Sequence, residues 1–196
     1  QATVRLGMQM GTERLVDLIN ALTGEKVTAN PSLLLGSADM SVYSVTQLYQ
    51  FLASGGRVQP LHAVLGVLDA QGKVLNRYEV KPTKAQKGDA IAARLVSIAM
   101  QQTVTSGTAR ALLSDGLGDL QSAGKTGTSN DSRDSWYAGF TGDHLTVVWV
   151  GNDKNEPTGL YGATGGMRVW SNLYKRLPTR PLIVSGEGLE WTYLDQ

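Results

Sequence analysis

The sequence predicts an α+β fold in which an antiparallel sheet is flanked by helices. Two observations support this prediction. Three strand-like segments follow one another closely, at residues 120–129, 134–141 and 144–151, and apolar residues recur at helical spacing on both sides of them. Because the connections between these segments are short, we expect the strands to be antiparallel neighbours. The helices would then bury their apolar stripes against the sheet.

Small capping residues and glycines mark the elements before the sheet. Thr12 is expected to cap a helix that Gly24 ends, and Ser41 is expected to cap a longer one. Between helices, a turn at residues 69–72 predicts a β-hairpin. The predicted helices cover residues 1–11, 13–22, 41–54 and 89–104, and the hairpin strands cover residues 61–68 and 73–79.

One further helix is predicted after the sheet, over residues 167–177, and Pro178 ends it. The chain is therefore divided into a domain at residues 1–178 and a C-terminal tail at residues 179–196, which is expected to be extended and for which no function is derived. The large aromatic residues of the sheet and the last helix are expected in the core; these are Trp136, Tyr137, Trp149 and Trp170.

Composition excludes several classes of function. The net charge of +1 gives no electrostatic basis for nucleic-acid binding. No apolar run approaches the length of a membrane span, so this chain itself is expected to make no membrane contact. Cysteine is absent, and His62 and His144 lie far apart without metal-ligand spacing. We therefore expect neither a metal site nor a cofactor.

The run from Gly118 to Thr126 superficially resembles a phosphate-binding loop. That motif needs a glycine five residues before Gly124, and the residue there is Asp119. A helix should also follow the lysine, but Gly127 and a polar run follow it instead. The pattern argues against nucleotide binding.

The run Lys125-Thr126-Gly127-Thr128 combines a cation, two hydroxyls and a glycine on one strand, which suits a substrate carboxylate and carbonyl. K-T-G is the third motif of penicillin-binding proteins and class A β-lactamases, after S-x-x-K and S-D-N. No S-x-N occurs in the chain, and the single S-x-x-K begins at Ser122. Ser122 and Lys125 share a predicted strand, where residues three apart point to opposite faces, so Ser122 is not expected to be a nucleophile.

The surrounding residues give the motif its context. The chain resembles the bifunctional, class A penicillin-binding proteins over nearly all of residues 1–177, and the resemblance is specific in the order of its segments. The segments that match are Leu34-Leu35-Gly36, Phe51-Leu52-Ala53-Ser54-Gly55-Gly56, Ser106-Gly107-Thr108-Ala109-Arg110, Ala123-Gly124 with Lys125–Asn130, and Asp134–Phe140.

This resemblance implies a D,D-transpeptidase that cross-links peptidoglycan through an acyl-serine intermediate. Its partners would be D-Ala-D-Ala stem peptides, and β-lactams would trap the serine. Lys125 and Thr128 are the implied catalytic residues. Thr126, Gly127, Thr128 and Ser129 are the implied substrate-binding residues, although a turn role for Ser129 is equally compatible with the sequence.

The resemblance also implies that the domain is incomplete at its N-terminus in this chain. The S-x-x-K and S-x-N motifs, and a glycosyltransferase domain, are expected upstream. We therefore expect the isolated chain to be inactive and the whole protein to act on the periplasmic side of the inner membrane through an upstream anchor. Two alternatives stay open: a D,D-carboxypeptidase or β-lactamase of the same fold, and a non-catalytic penicillin-recognising module.

Overall fold

The computed structural model describes residues 2–79, 81, 83–84, 87–190 and 192. These residues form a mixed α+β structure with two antiparallel sheets, which confirms the predicted fold class. In chain order the helices and strands are α1 (Ala2–Met10), α2 (Thr12–Thr23), α3 (Val42–Ala53), β1 (Gly66–Leu68), β2 (Val74–Arg77), α4 (Lys87–Thr105), α5 (Ala111–Ser114), β3 (Ala123–Thr128), β4 (Ser135–Phe140), β5 (Leu145–Val150) and α6 (Gly166–Tyr174). None of the helices in these ranges is both long and apolar enough to cross a membrane.

The main sheet has the strand order β3-β4-β5, and both pairings are antiparallel. Thr126 lies opposite Tyr137, and Gly124 lies opposite Gly139. The central strand is therefore β4, and β3 forms one edge of the sheet. A separate two-stranded sheet joins β1 and β2 as the predicted hairpin, whose strands are shorter than predicted.

Helices cover both faces of the main sheet. Residues opposite each other on neighbouring strands share a face. On one face Tyr137 packs edge-on against Trp170 of α6, with 5.4 Å between ring centroids, and Trp170 stacks on Tyr174 at 3.8 Å. On the other face Phe140 packs in a cluster with Met100 of α4. The two apolar layers thus fix the sheet between α6 and the α3–α4 pair.

Two of the local predictions are wrong. Thr12 does not cap α2 but begins it, and Gly11 occupies the cap position with a φ of 89°. That conformation disfavours a residue with a Cβ, so the glycine takes the cap and Thr12 turns inward. Trp149, predicted in the core, is 38% exposed and donates its indole N–H to Asp134 at 2.8 Å.

The predicted tail packs against the sheet without forming a helix or strand over residues 179–190. Leu182 is buried, and its amide donates to the carbonyl of Leu120 at 2.9 Å. Arg180 donates from Nε to the Asp143 carboxylate at 2.7 Å, and this bond holds the pKa of Asp143 below its usual value. The division of the chain at residue 178 stays a prediction.

The buried hydroxyl of Tyr137 has no hydrogen-bond partner among the described residues, and burial raises its pKa. We therefore expect Tyr137→Phe to leave the free energy of unfolding unchanged or to increase it, because the substitution removes an unpaired polar group. Tyr174→Phe is the matched control, since the Tyr174 hydroxyl bonds Thr146 at 3.0 Å. The free energy of unfolding of Tyr174→Phe, measured by urea denaturation, should be lower than that of the parent protein by about 1 kcal/mol. A larger loss for Tyr137→Phe than for Tyr174→Phe would show that the Tyr137 hydroxyl stabilises the folded protein, contrary to this expectation.

Asp115, after α5, ties that helix to α6. It accepts a hydrogen bond from Ser171 at 2.7 Å and pairs with Lys175 at 3.1 Å. These contacts, the Ser171 bond first, hold the pKa of Asp115 below its ordinary 3.8. When folding lowers the pKa of a carboxyl group, that group stabilises the folded protein at pH values above its pKa in the unfolded state. This stabilisation disappears as the pH falls through the pKa of the group in the folded state. The stability difference between the parent protein and Asp115→Asn should therefore be largest near neutral pH and shrink below pH 3.8. A difference that is flat with pH in urea titrations would contradict this.

Candidate active site

The Lys125–Thr128 run lies where β3 leaves the core. The first two residues of the strand, Ala123 and Gly124, are buried, whereas Lys125 and Thr128 are exposed and the two residues between them are half-buried. Tyr137 lies over Gly124 so closely that a Cβ there would be 2.2 Å from the tyrosine hydroxyl. The buried start of the strand thus anchors the exposed motif at a fixed place on the surface.

Two hydrogen bonds define which backbone groups of β3 face outward. The Gly124 carbonyl accepts from the Thr103 hydroxyl of α4 at 2.6 Å, away from β4. The Ser129 amide donates in the opposite direction, to Asp134 at 3.1 Å. In an extended strand successive residues alternate between the two edges. The N–H and C=O groups of Thr126 and Thr128 therefore point to the edge that no described strand occupies.

The two threonine hydroxyls lie on one face of β3, as their spacing predicts, and each has a partner from outside the sheet. Thr126 Oγ1 lies 2.9 Å from Thr108 Oγ1, in the turn after α4. Thr128 Oγ1 accepts from the Gly162 amide at 2.9 Å. Because an accepted bond leaves the hydroxyl proton of Thr128 available, this side chain can still donate to a ligand.

Lys125 brings positive charge to the same edge. Its side chain is exposed, and Nζ donates to the Thr126 carbonyl at 2.9 Å. The ammonium thus lies beside the outward-facing backbone of β3. An anion placed against this edge would meet one charged and several neutral hydrogen-bond donors.

The other predicted residues have structural partners. Gly127 faces Trp136, and a Cβ at Gly127 would lie 3.2 Å from the tryptophan Cβ. Ser129 closes the turn between β3 and β4, because its hydroxyl accepts from the Asp134 amide at 2.8 Å. Ser129 therefore has the turn role, and its contact with substrate stays a prediction.

Ser122 is unsuited to nucleophilic attack. It is 1% exposed, and its hydroxyl has no partner among the described residues. The described residues include no group of three or more His, Asp or Glu side chains that could hold a metal ion.

Sequence reasoning missed three residues that shape the site. Thr103, Thr108 and Gly162 contact β3 from sequence separations of 21, 18 and 34 residues. The Ser106–Arg110 segment was a signal for Thr108, because it matched the family, but the sequence does not show which strand residue it contacts.

Comparison with known proteins identifies the family. The family model described as "Penicillin binding protein transpeptidase domain" matches residues 7–166. The chain belongs to this family. The chain is similar to penicillin-binding protein 1B of Vibrio cholerae, with 40% identity over 190 residues that cover 95% of the chain and 24% of that protein. It is also similar to penicillin-binding protein 1B of Escherichia coli, with 39% identity over 184 residues that cover 92% of the chain and 21% of that protein.

A solved structure shows the same fold. Penicillin-Binding Protein 1A from Haemophilus influenzae superimposes with a TM-score of 0.78 at 20% identity, over 93% of this chain and 34% of that one. The predicted resemblance to class A penicillin-binding proteins is thus confirmed. The chain spans about a quarter of the length of the penicillin-binding proteins 1B that it matches.

The absence of a side chain at Gly162 should be required for the contact between its loop and the Lys125–Thr128 run of β3. A Cβ there would lie 2.7 Å from the Gly127 carbonyl oxygen and 2.8 Å from the Thr126 Cβ, so Gly162→Ala must push the loop off β3. We expect the free energy of unfolding to fall by about 1–3 kcal/mol. We also expect the NMR chemical shifts of Thr128 to change. Gly186→Ala is the control, because no atom outside Gly186 and its two chain neighbours lies within 4 Å of its Cβ position. Equal effects of the two substitutions would contradict the proposed packing.

Proposed function

We propose that the protein is a serine D,D-transpeptidase that cross-links peptidoglycan and is a target of β-lactams. In this proposal the present chain supplies the β3 side of the active site. The observation that carries the proposal is the open edge of β3, where Thr126 and Thr128 present backbone groups and hydroxyls next to the Lys125 ammonium. Family membership supports the same assignment.

The donor peptide would bind by adding a strand to this edge. Its terminal carboxylate would accept hydrogen bonds from the Thr126 and Thr128 hydroxyls, and the charge of Lys125 would favour the anion. Gly127, which has no side chain beside this edge, would allow close approach of the element that carries the nucleophile. A β-lactam with a carboxylate would occupy the same place.

The Thr128 N–H would stabilise the oxyanion. When a serine oxygen attacks the carbonyl carbon of the D-Ala-D-Ala bond, the carbonyl oxygen becomes negative and needs donors placed in advance. The second donor would be the amide of the nucleophilic serine itself. Collapse of the tetrahedral adduct breaks the C–N bond and releases D-Ala, whose nitrogen takes the proton that the attacking serine hydroxyl gave up. The amine of a second stem peptide then attacks the acyl-serine, the C–O bond to the serine breaks, and the proton lost by the amine regenerates the serine hydroxyl as the cross-link forms.

We place the nucleophile outside these 196 residues. The single S-x-x-K of the chain begins at the buried Ser122, and no S-x-N occurs. On α1, Leu6 and Met10 lie four residues apart on one face of the helix, and both are more than half exposed. An exposed apolar helix face is typical of a contact surface. Upstream sequence with the two other motifs would cover them, and a glycosyltransferase domain and membrane anchor would place the enzyme at the periplasmic side of the inner membrane. The isolated 196-residue chain would be inactive.

Intact-mass spectrometry of the full-length protein after incubation with a penicillin tests this proposal. We expect one covalent adduct, and peptide mapping should place it on a serine outside residues 1–196. An adduct on Ser122 would contradict the assignment of the nucleophile, and the absence of any adduct would contradict the serine mechanism.

A second assay, with pentapeptide-bearing peptidoglycan as substrate, distinguishes the possible reactions. Cross-linked dimers among its products support the transpeptidase. Trimmed peptides alone would indicate a carboxypeptidase, and rapid release of hydrolysed penicillin would indicate a β-lactamase.

Lys125→Ala should slow acylation by penicillin in the full-length protein by about 10- to 100-fold, because a hydrogen bond to a charged group contributes about 1.5–3 kcal/mol. Lys73→Ala, at an exposed position in the separate β1–β2 hairpin, is the control and should acylate at the parental rate. Equal rates for all three proteins would show that the Lys125 charge has no part in ligand binding.

A further inference from the structure

The geometry points to Thr108 as a positioning residue that orients the Thr126 hydroxyl toward the carboxylate of the bound ligand. This inference rests on the proposed function and adds a residue from outside the K-T-G strand to the site. The observation behind it is the 2.9 Å separation of the Thr108 and Thr126 hydroxyl oxygens. Thr108 itself lies in the turn between α4 and α5, 18 residues before its partner.

The turn that carries Thr108 is fixed on both sides. The Gly107 and Ala109 amides both donate to the Thr103 carbonyl, at 3.1 and 2.9 Å. A Cβ on Gly107 would lie 2.7 Å from the Thr103 Cα, so only glycine allows this close return of the chain onto α4. Next to the exposed Thr108, Ala109 is fully buried. The Thr108 side chain is thus exposed but its backbone is held in place.

The same residue, Thr103, also binds β3. Its hydroxyl donates to the Gly124 carbonyl at 2.6 Å, two residues before Thr126 in the strand. The turn and the strand are therefore attached to a common point on α4. This attachment sets the distance between the Thr108 and Thr126 hydroxyls independently of any ligand.

The number of protons that the Thr108 and Thr126 hydroxyls carry determines what this pair can do. Each threonine hydroxyl has one proton and can also accept. Two hydroxyls that bond to each other use one of their two protons and keep one free. When Thr108 donates to Thr126, the free proton is that of Thr126, and it can point to an anion at the open edge of β3. The bond from Thr108 also polarises the Thr126 hydroxyl and strengthens its donation.

An anionic ligand would select this orientation, because the reverse one turns a lone pair of Thr126 toward the negative charge. Thr128 has an equivalent arrangement, in which the Gly162 amide donates and leaves the threonine proton free. Both hydroxyls of the motif would thus be set as donors, one by a backbone amide and the other by Thr108. The requirement for Thr108 should then depend on the negative charge of the ligand.

The test measures acylation rates of the full-length protein with a penicillin and with its methyl ester, which lacks the carboxylate charge. We expect Thr108→Val to slow acylation by the free acid about five- to tenfold, as for the loss of one hydrogen bond, and to leave the rate with the ester unchanged. Thr108→Ser keeps a hydroxyl and should restore the parental rate with the acid. Thr105→Val is the matched control, because the Thr105 hydroxyl bonds Gln102 on its own helix.

A double-mutant cycle with Thr126 completes the test. If Thr108 acts through Thr126, then Thr108→Val should not slow acylation by the free acid any further in a protein that already carries Thr126→Val. Parental rates for Thr108→Val, or equal slowing with acid and ester, would overturn the inference while the proposed function stands. If the parental protein forms no acyl adduct with the acid, the proposed function fails, and this inference fails with it.

Discussion

The hydrogen bond from the Thr103 hydroxyl to the Gly124 carbonyl determines how much of β3 remains open. It fixes the strand to α4 at one residue and occupies the outward-facing backbone only there. Beyond that point, Thr126 and Thr128 face outward without a neighbouring described strand. An edge strand is normally a liability, because its unpaired groups can join another chain. In this protein the exposed part is short, and it coincides with the residues that carry the hydroxyls and the positive charge.

Close backbone packing maintains this arrangement. Gly124 lies beneath Tyr137, Gly162 lies against Thr126, and Gly107 lies against Thr103, and at all three positions a Cβ would lie within 2.8 Å of a neighbouring atom. One close approach thus lies within the sheet, one joins the Gly162 loop to β3, and one folds the turn after α4 back onto that helix. Such packing keeps the strand rigid, so that its donors are already positioned when a ligand arrives. In the proposed function this placement matters for the Thr128 N–H, because an oxyanion donor has to be in position before the charge develops.

The sequence predicted the elements well where periodicity was strong. The strand order β3-β4-β5 followed from short connections, and α3 begins at the predicted Ser41 cap, whose hydroxyl accepts from the Ser44 amide. The short helix α5 was missed, because four residues show no periodicity. The cap of α2 was mispredicted, since the choice between Gly11 and Thr12 depends on a backbone angle that composition does not reveal.

The site was predictable only in part, for a related reason. The alternation of side chains between the two faces of a strand predicted correctly that Thr126 and Thr128 share a face of β3. The residues that form hydrogen bonds with them come from a turn and a loop that are distant in sequence, and a single sequence does not show which distant segments meet. The role of Ser129 was ambiguous because a hydroxyl next to a strand end suits both a turn and a ligand, and the Asp134 contact shows the turn role.

A crystal structure of the full-length protein after acylation by a penicillin would test the role of β3 most directly. We expect the ligand to lie along the open edge of β3, with its carboxylate at the Thr126 and Thr128 hydroxyls and its acyl oxygen at the Thr128 N–H. We also expect the acylated serine to lie outside residues 1–196. A ligand bound away from β3, or a carboxylate that contacts neither threonine, would contradict the proposed role of this strand.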